Sequence, residues 1–291
     1  PIVVMNPHTA SFRSMIQHKL EPEIYNERAL QTFIQAVRAG GQRHYPVHIK
    51  LDTGMHRLGF LPDELPRLQA LLQANQNEIH VQSLFSHLAA TDEPRLDDFT
   101  QGQIRRFREM AGLVKQSLGN TPLCHILNSA GIERFPDAQF DMVRLGIGLY
   151  GIRRSTALQL KNVSTLRTKI LQTKHVPHGE TVGYGRAGKT TQDTRIGIIP
   201  VGYADGFDRA LSNGVGTVVV RGRHAPVIGK VCMDMSMLDL THIPAEEGDE
   251  AIIFGQENPV QTLAAQLNTI PYEIFTSISR RVKRVYIREY Q

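Results

Sequence analysis

Apolar and polar positions along the first half of the chain follow two alternating periods. Short apolar runs at 2–6 (IVVMN), 22–26 (PEIYN), 47–51 (VHIKL), 81–88 (VQSLFSHL), 123–128 (LCHILN) and 142–146 (MVRLG) have the length and composition of strands. Between them, apolar residues recur at helical spacing. In ERALQTFIQAVRAGG, Leu30, Phe33, Ile34 and Val37 share one face, and Gly40-Gly41 ends the run. GQIRRFREMAGLVKQSLG repeats the device with Ile104, Phe107, Met110, Val114 and Leu118. Strand, helix, strand in this rhythm predicts a parallel sheet wound by crossovers. The near-continuous Val/Ile/Leu content of the strands predicts burial on both faces, as in a barrel.

After about residue 160 the helical period fades. KNVSTLRTKILQTKHV, RIGIIPVGYADG, VGTVVVRGRHAPVIGKVCMDMSMLDL and GDEAIIFG are apolar runs cut by Gly and Pro turns. The expected organisation is therefore an α/β domain over 1–160 and a mostly β domain over 161–291.

Polar residues in the first half fall at one kind of place. Lys50 and Asp52, His87, Asn128 with Ser129, and Arg144 all lie at or just past the C-terminal ends of candidate strands. In a β/α barrel that end is the active-site face, built from several strands at once. Composition removes other classes. Hydrophobic residues make up 41% of the 291, enough for a sizeable core. The net charge of +5 is dispersed, without the clustered basic stripe that nucleic acid requires. No apolar run approaches membrane-spanning length, and the two cysteines, Cys124 and Cys232, fit a reduced cytoplasmic setting better than a disulfide framework. Among the histidines there is no H-E-x-x-H metal motif, and no metal is expected.

Seven blocks then occur in order: HIKLDTGMHRLGF, LFSHLAATDE, LNSAGIERFP, VRLGIGLYG, TVGYGRAG, IPVGYADGF and GKVCMDMSMLDL. Together they resemble the successive blocks of the alanine racemases. The resemblance implies a pyridoxal-phosphate (PLP) barrel followed by a β domain, acting on alanine as a homodimer with sites shared between subunits. It implies that Arg144 contacts the pyridine nitrogen of the cofactor, and that Ser129, Asn128 and the Gly146 and Ile147 backbone lie at its phosphate. Tyr184 corresponds to a catalytic base, and His87 to the histidine linking that tyrosine to the arginine. Arg57 corresponds to the residue aimed at the substrate carboxylate, while Tyr203 and Met233 close the site from the neighbouring subunit. The lysine of the K-x-D-T-G-M block, Lys50, is a candidate for carbamylation, the carbamate then holding Arg57. Unmodified, Lys50 beside Arg57 is a repulsive pair that Asp52 is expected to screen.

Two departures from the family pattern stand out. No lysine here lies in a Lys-Ala-Asn-Ala-Tyr-Gly-type block, which in the family carries the Schiff-base lysine, and Arg280 stands where many members have a phosphate-binding tyrosine. The chain also opens inside a candidate strand without Met, and six candidate strands fall short of the eight of a closed barrel. It therefore reads as an incomplete barrel whose lysine-bearing strand precedes residue 1, inactive alone. A decarboxylase of the same fold would call for an acidic residue at the pyridine nitrogen, which Arg144 opposes. A non-catalytic relative that lost the lysine is the other alternative.

Overall fold

The computed structural model describes residues 1–153 and 159–287. In the first half, five strands pair in parallel and in sequence order: β1 (Val3–Val4), β2 (Glu21–Ile24), β3 (Tyr45–Lys50), β4 (Ile79–Phe85) and β5 (Leu123–His125). Helices α1 (Phe12–Gln17), α2 (Glu27–Ala39), α3 (Leu65–Ala74) and α4 (Asp97–Gln116) make the crossovers, and α5 (Ser129–Arg134) follows β5. A strand order without reversal belongs to a barrel wall rather than to a doubly wound sheet.

The helices form as their periodicity predicts. Asn26 caps α2 by accepting from the Ala29 amide at 2.8 Å, and Glu27 and Arg38 sit at the ends that suit the helix dipole. Leu30, Phe33, Ile34 and Val37 are buried, as are Ile104, Phe107, Met110 and Val114 of α4. They cover the outer face of the sheet, where Ile24, Val47, Ile49, Leu51 and Leu84 are also buried.

One expectation changes. The segment 142–146 is not a strand. It is tied to the residues of β5 and beyond by Asp141 N donating to Cys124 O and Arg144 N to Leu127 O, both at 3.0 Å. The Asp141 carboxylate accepts from Cys124 N at 2.8 Å, taking the place of a ladder carbonyl. Contacts three residues apart cannot build a ladder whose period is two, so five strands stand where six were expected. Both faces of the sheet are buried, as expected, but they differ in chemistry. Register places Glu23 beside His48, His48 beside Ser83, Lys50 beside Phe85 and Phe85 beside His125. This inner face is buried yet largely polar.

The chain divides into two compact units, one of Pro1–Leu149 with Arg153–Leu160 and another of Tyr150–Ile152 with Lys161–Gln291. The second unit is antiparallel. β6 (Leu166–Lys169), β11 (Thr217–Val220), β12 (Arg223–Pro226) and β14 (Glu250–Phe254) form one sheet in the order 12-11-14-6. β7 (Gln172–Val176), β10 (Thr194–Ile199) and β13 (Ser236–Asp239) form another, with β10 central. β8 (Thr181–Val182) and β9 (Gly188–Lys189) make a two-stranded pair. Helices α6 (Val260–Gln266) and α7 (Pro271–Ser277) come last.

After β3 the chain turns back on itself. Phe60 N donates to Lys50 O and Asp52 N to Phe60 O, each at 2.9 Å. Gly59 makes this possible: its φ is +127°, and a Cβ there would meet Asp52 N at 2.7 Å and Leu51 C at 2.9 Å. Gly59→Ala should therefore destabilise the chain by about 2 kcal/mol or more. Urea unfolding checks it, and a loss below about 0.5 kcal/mol, ordinary for a surface change, would show that the turn is free to relax.

Candidate active site

Three segments at the ends of parallel strands converge. Lys50 ends β3, His87 lies just past β4, and Arg144 enters beside the residues that follow β5. Phe85 is the floor under the lysine and the arginine. Its ring centroid is 5.7 Å from Lys50 Nζ and 5.4 Å from Arg144 Cζ, and the His125 imidazole stacks on it at 4.9 Å.

Arg144 is held by acceptors at both Nη atoms. Nη1 donates to His125 Nδ1, and Nη2 donates to Ser86 O at 2.6 Å, Ile126 O at 3.1 Å and His87 Nδ1 at 3.3 Å. Burial lowers its pKa to about 10, with Glu23 opposing the shift, so it remains charged at neutral pH. No acceptor among the described residues faces its Nε–H.

A guanidinium has no acceptor, and that fact fixes the direction of the hydrogen bonds behind it. His125 Nδ1 must accept, so Nε2 carries the proton and donates to Ser83 Oγ at 3.1 Å. Ser83 then donates to His48 Nδ1 at 2.6 Å, and His48 Nε2 donates to the Glu21 carboxylate at 2.7 Å. Both rings are neutral. Burial and then the charge of Arg144 lower the His125 pKa to about 3, and burial lowers that of His48. His87 is held near 4 by burial and by Arg144, Arg57 and Lys50, in that order. As it accepts from Arg144 at Nδ1, its Nε2–H remains a donor.

Several expected residues play narrower parts. Asp52 does not screen Lys50. One of its oxygens accepts from the amides of Gly54, Met55 and His56 at 2.8, 3.1 and 3.1 Å, which shapes the turn leading to the exposed Arg57. The counter-ion of Lys50 is instead Glu23, with Nζ and Oε1 2.9 Å apart. Asn128 is the N-cap of α5, accepting from Gly131 N at 2.9 Å and from Thr91 Oγ1 at 3.0 Å. Ser129 Oγ accepts from the Gly146 and Gly148 amides at 3.0 and 3.2 Å, which leaves its own proton to give. Among the described residues nothing accepts from the Ile147 amide. A hydroxyl proton, a spare amide, and a charged arginine with a spare Nε–H fit the phosphate and ring nitrogen of PLP.

The remaining site residues belong to the second unit. Tyr203 N donates to Cys232 O at 3.0 Å and Ala204 N to Met233 O at 2.9 Å, so Tyr203 and Met233 are brought together. Asp205 secures that turn, accepting from Gly202 N at 3.0 Å and from Arg281 at 2.7 and 2.9 Å. Arg281 thus makes the structural contact, while Arg280 is exposed. Tyr184 stands apart from this pair on the β8–β9 turn. A Cβ on Gly188 would meet Gly229 N at 2.7 Å, and one on Gly229 would meet Val182 O at 2.6 Å. The backbones touch, and the tyrosine between them is left 70% exposed. Sequence reading missed Glu21, Glu23, His48, Ser83 and His125, although their period of two along the strands was a usable signal.

Family models match the chain over both halves: "Alanine racemase, N-terminal domain" over residues 1–154 and "Alanine racemase, C-terminal domain" over 163–286. It is 38% identical over 250 residues to alanine racemase 2 of Caldanaerobacter subterraneus subsp. tengcongensis, a match spanning 83% of this chain and 64% of that protein. It is 37% identical to the alanine racemase of Sorangium cellulosum, over 98% of this chain and 79% of that one. Among solved structures, the alanine racemase from D-cycloserine-producing Streptomyces lavendulae aligns with a TM-score of 0.93 at 32% identity, covering 99% of this chain and 78% of its own. That from Bartonella henselae, solved with covalently bound pyridoxal phosphate, aligns with a TM-score of 0.87 at 30% identity, covering 98% and 79%.

The direction of the buried chain has a pH consequence. A histidine whose folded pKa lies below its unfolded value withdraws stability as pH falls from about 6.5 toward the folded value. For His125 and His87 those lower limits are about 3 and about 4. Stability should fall on acidification below about pH 6.5, by at most about 1.4 kcal/mol per pH unit for each histidine. Ring-proton NMR should find both neutral at pH 5.5, and a midpoint near 6.5 for either would break the assignment.

Proposed function

The chain belongs to the alanine racemase family, and from that premise we propose that it carries the cofactor contacts and one proton-transfer group of an enzyme interconverting L- and D-alanine. The observation that carries this reading is Arg144, charged, fixed at both Nη atoms, and with Nε–H unclaimed at the strand ends. PLP, when bound, withdraws electrons from an amino acid joined to it and so acidifies the hydrogen on its α-carbon. Ser129 and the backbone at Gly146 and Ile147 would hold its phosphate, with Asn128 setting the start of α5 beneath them.

Arg144 donates a hydrogen bond toward the ring nitrogen and keeps its own proton. A guanidinium that keeps its proton would hold the ring nitrogen by hydrogen bonding alone, without protonating it. Racemisation needs proton exchange on both faces of the α-carbon, and Tyr184 is the group for one of them. A phenol with an ordinary pKa near 10 is a poor base. A phenol gains strength as a base only where hydrogen-bond donors and positive charge meet its oxygen. Arg57 offers its fork to the alanine carboxylate. Tyr203 and Met233 fit a surface that a second subunit covers, since both side chains are about half exposed on rigidly tied backbone. The working form is thus read as a cytoplasmic homodimer supplying D-alanine for peptidoglycan precursors. No helix among the described residues is long and apolar enough to cross a membrane.

Arg144→Glu should slow racemisation and raise pyruvate release from alanine. Unchanged racemisation without added pyruvate would remove Arg144 from the cofactor. Separately, Tyr184→Phe should suppress solvent deuterium exchange from one alanine enantiomer by about 100-fold or more while sparing the other, the lower range for loss of a general base. Equal small losses from L- and D-alanine would exclude Tyr184 as a one-sided base.

A further inference from the structure

Glu23 has no part in the reading above, and it is among the most deeply buried charged groups of the first unit. It lies on the polar inner face of β2, 1% exposed, with Lys50 beside it on β3 at 5%. Glu23 Oε2 accepts from the Asn6 amide. Glu23 Oε1 stands 2.9 Å from Lys50 Nζ and receives no directed hydrogen bond among the described residues, so charge rather than direction binds the pair. Its field also reaches Arg144, where it favours the charged guanidinium. The groups facing Glu23 are thus an ammonium, a guanidinium and a backbone amide, with the Phe85 ring flanking both cations.

A buried carboxylate that meets no partner is costly, and so is a buried ammonium; each removes the other's penalty. Carbamylation of Lys50 would undo this. The unprotonated Nζ would attack carbon dioxide, an N–C bond would form and one proton would leave, giving an anion. That anion would then sit against the Glu23 carboxylate, both of them buried. Meanwhile an ammonium that faces the Glu23 carboxylate at 2.9 Å has no lone pair for the reaction. We propose that Glu23 is a positioning residue, the built-in anion of this cationic site, and that it keeps Lys50 as an unmodified ammonium. The lysine modification implied by the family resemblance is not used here, because a carboxylate already supplies the negative charge.

The test needs no turnover, so its result is independent of whether the chain racemises alanine. The chain is equilibrated with 13C-labelled bicarbonate near pH 8 and examined by 13C NMR for a carbamate carbon. The expected result is no carbamate signal at Lys50 in the unaltered chain. Glu23→Gln leaves the amine without its anion, and should produce a carbamate signal that Lys50→Arg in the same background abolishes. Two results would overturn the proposal: a carbamate carbon in the unaltered chain that Lys50→Arg removes, or a folded Glu23→Gln chain without one. If Glu23→Gln does not fold, the unaltered spectrum decides alone, its carbamate signal refuting the proposal and its absence supporting it.

Discussion

A guanidinium placed out of bulk water can only donate, and the inner face of the parallel sheet is organised by that constraint. Arg144 requires acceptors, and it finds three peptide carbonyls, at Ser86, His125 and Ile126, and two imidazoles. Each imidazole that accepts must be neutral and must pass its remaining proton onward. From His125 the direction runs through Ser83 and His48 to Glu21, where a carboxylate that only accepts ends it. The chain therefore has a donor-only group at one end and an acceptor-only group at the other. No intermediate member has a choice of tautomer. Networks satisfied at every position rigidify a core, whereas the same groups left partly satisfied would cost more than apolar packing.

Much of this was legible in sequence, though not the part that gives the site its charge balance. Helical periodicity placed Leu30, Phe33, Ile34 and Val37 on the buried face of α2, and strand ends marked Lys50, His87 and Ser129. Those features are local: a period or a boundary can be read from one segment. The inner face is not local. Glu23, His48, Ser83 and His125 become neighbours only through strand register, and β3 slips against β4 between Val47 and His48. Without that slip, alternation alone would set His48 beside Gln82. The candidate strand at 142–146 failed for a related reason, since the Asp141 side chain took the place of a backbone acceptor.

The second unit solves a different problem with different means. Tyr184 and Met233 carry exposed side chains on segments that must not move. Close backbone contact provides that, with Gly188 against Gly229 and Gly202 against Cys232 and Met233 leaving no room for a Cβ. Asp205 and Arg281 then clamp the Tyr203 turn by a bidentate ion pair. Such packing fixes where a side chain starts while leaving its tip open. An exposed phenol or thioether on mobile backbone would lose much of that advantage to ordering entropy.

Charge balance links the two kinds of chemistry expected of the site. Lys50, Arg57 and Arg144 bring three positive charges to bear on His87. Asp52 spends one carboxylate oxygen on three amides, so Glu23 is the buried carboxylate that meets the ammonium directly. The surplus is positive, which suits a phosphate and a carboxylate arriving together. Exchanging the Lys50 ammonium for an anion would lower that surplus by two charges and leave Glu23 facing a like charge. An interior already holding a fixed carboxylate therefore gains little from a labile one, whose charge would vary with dissolved carbon dioxide. Glu23 supplies the same sign of charge from a side chain that cannot dissociate from the site.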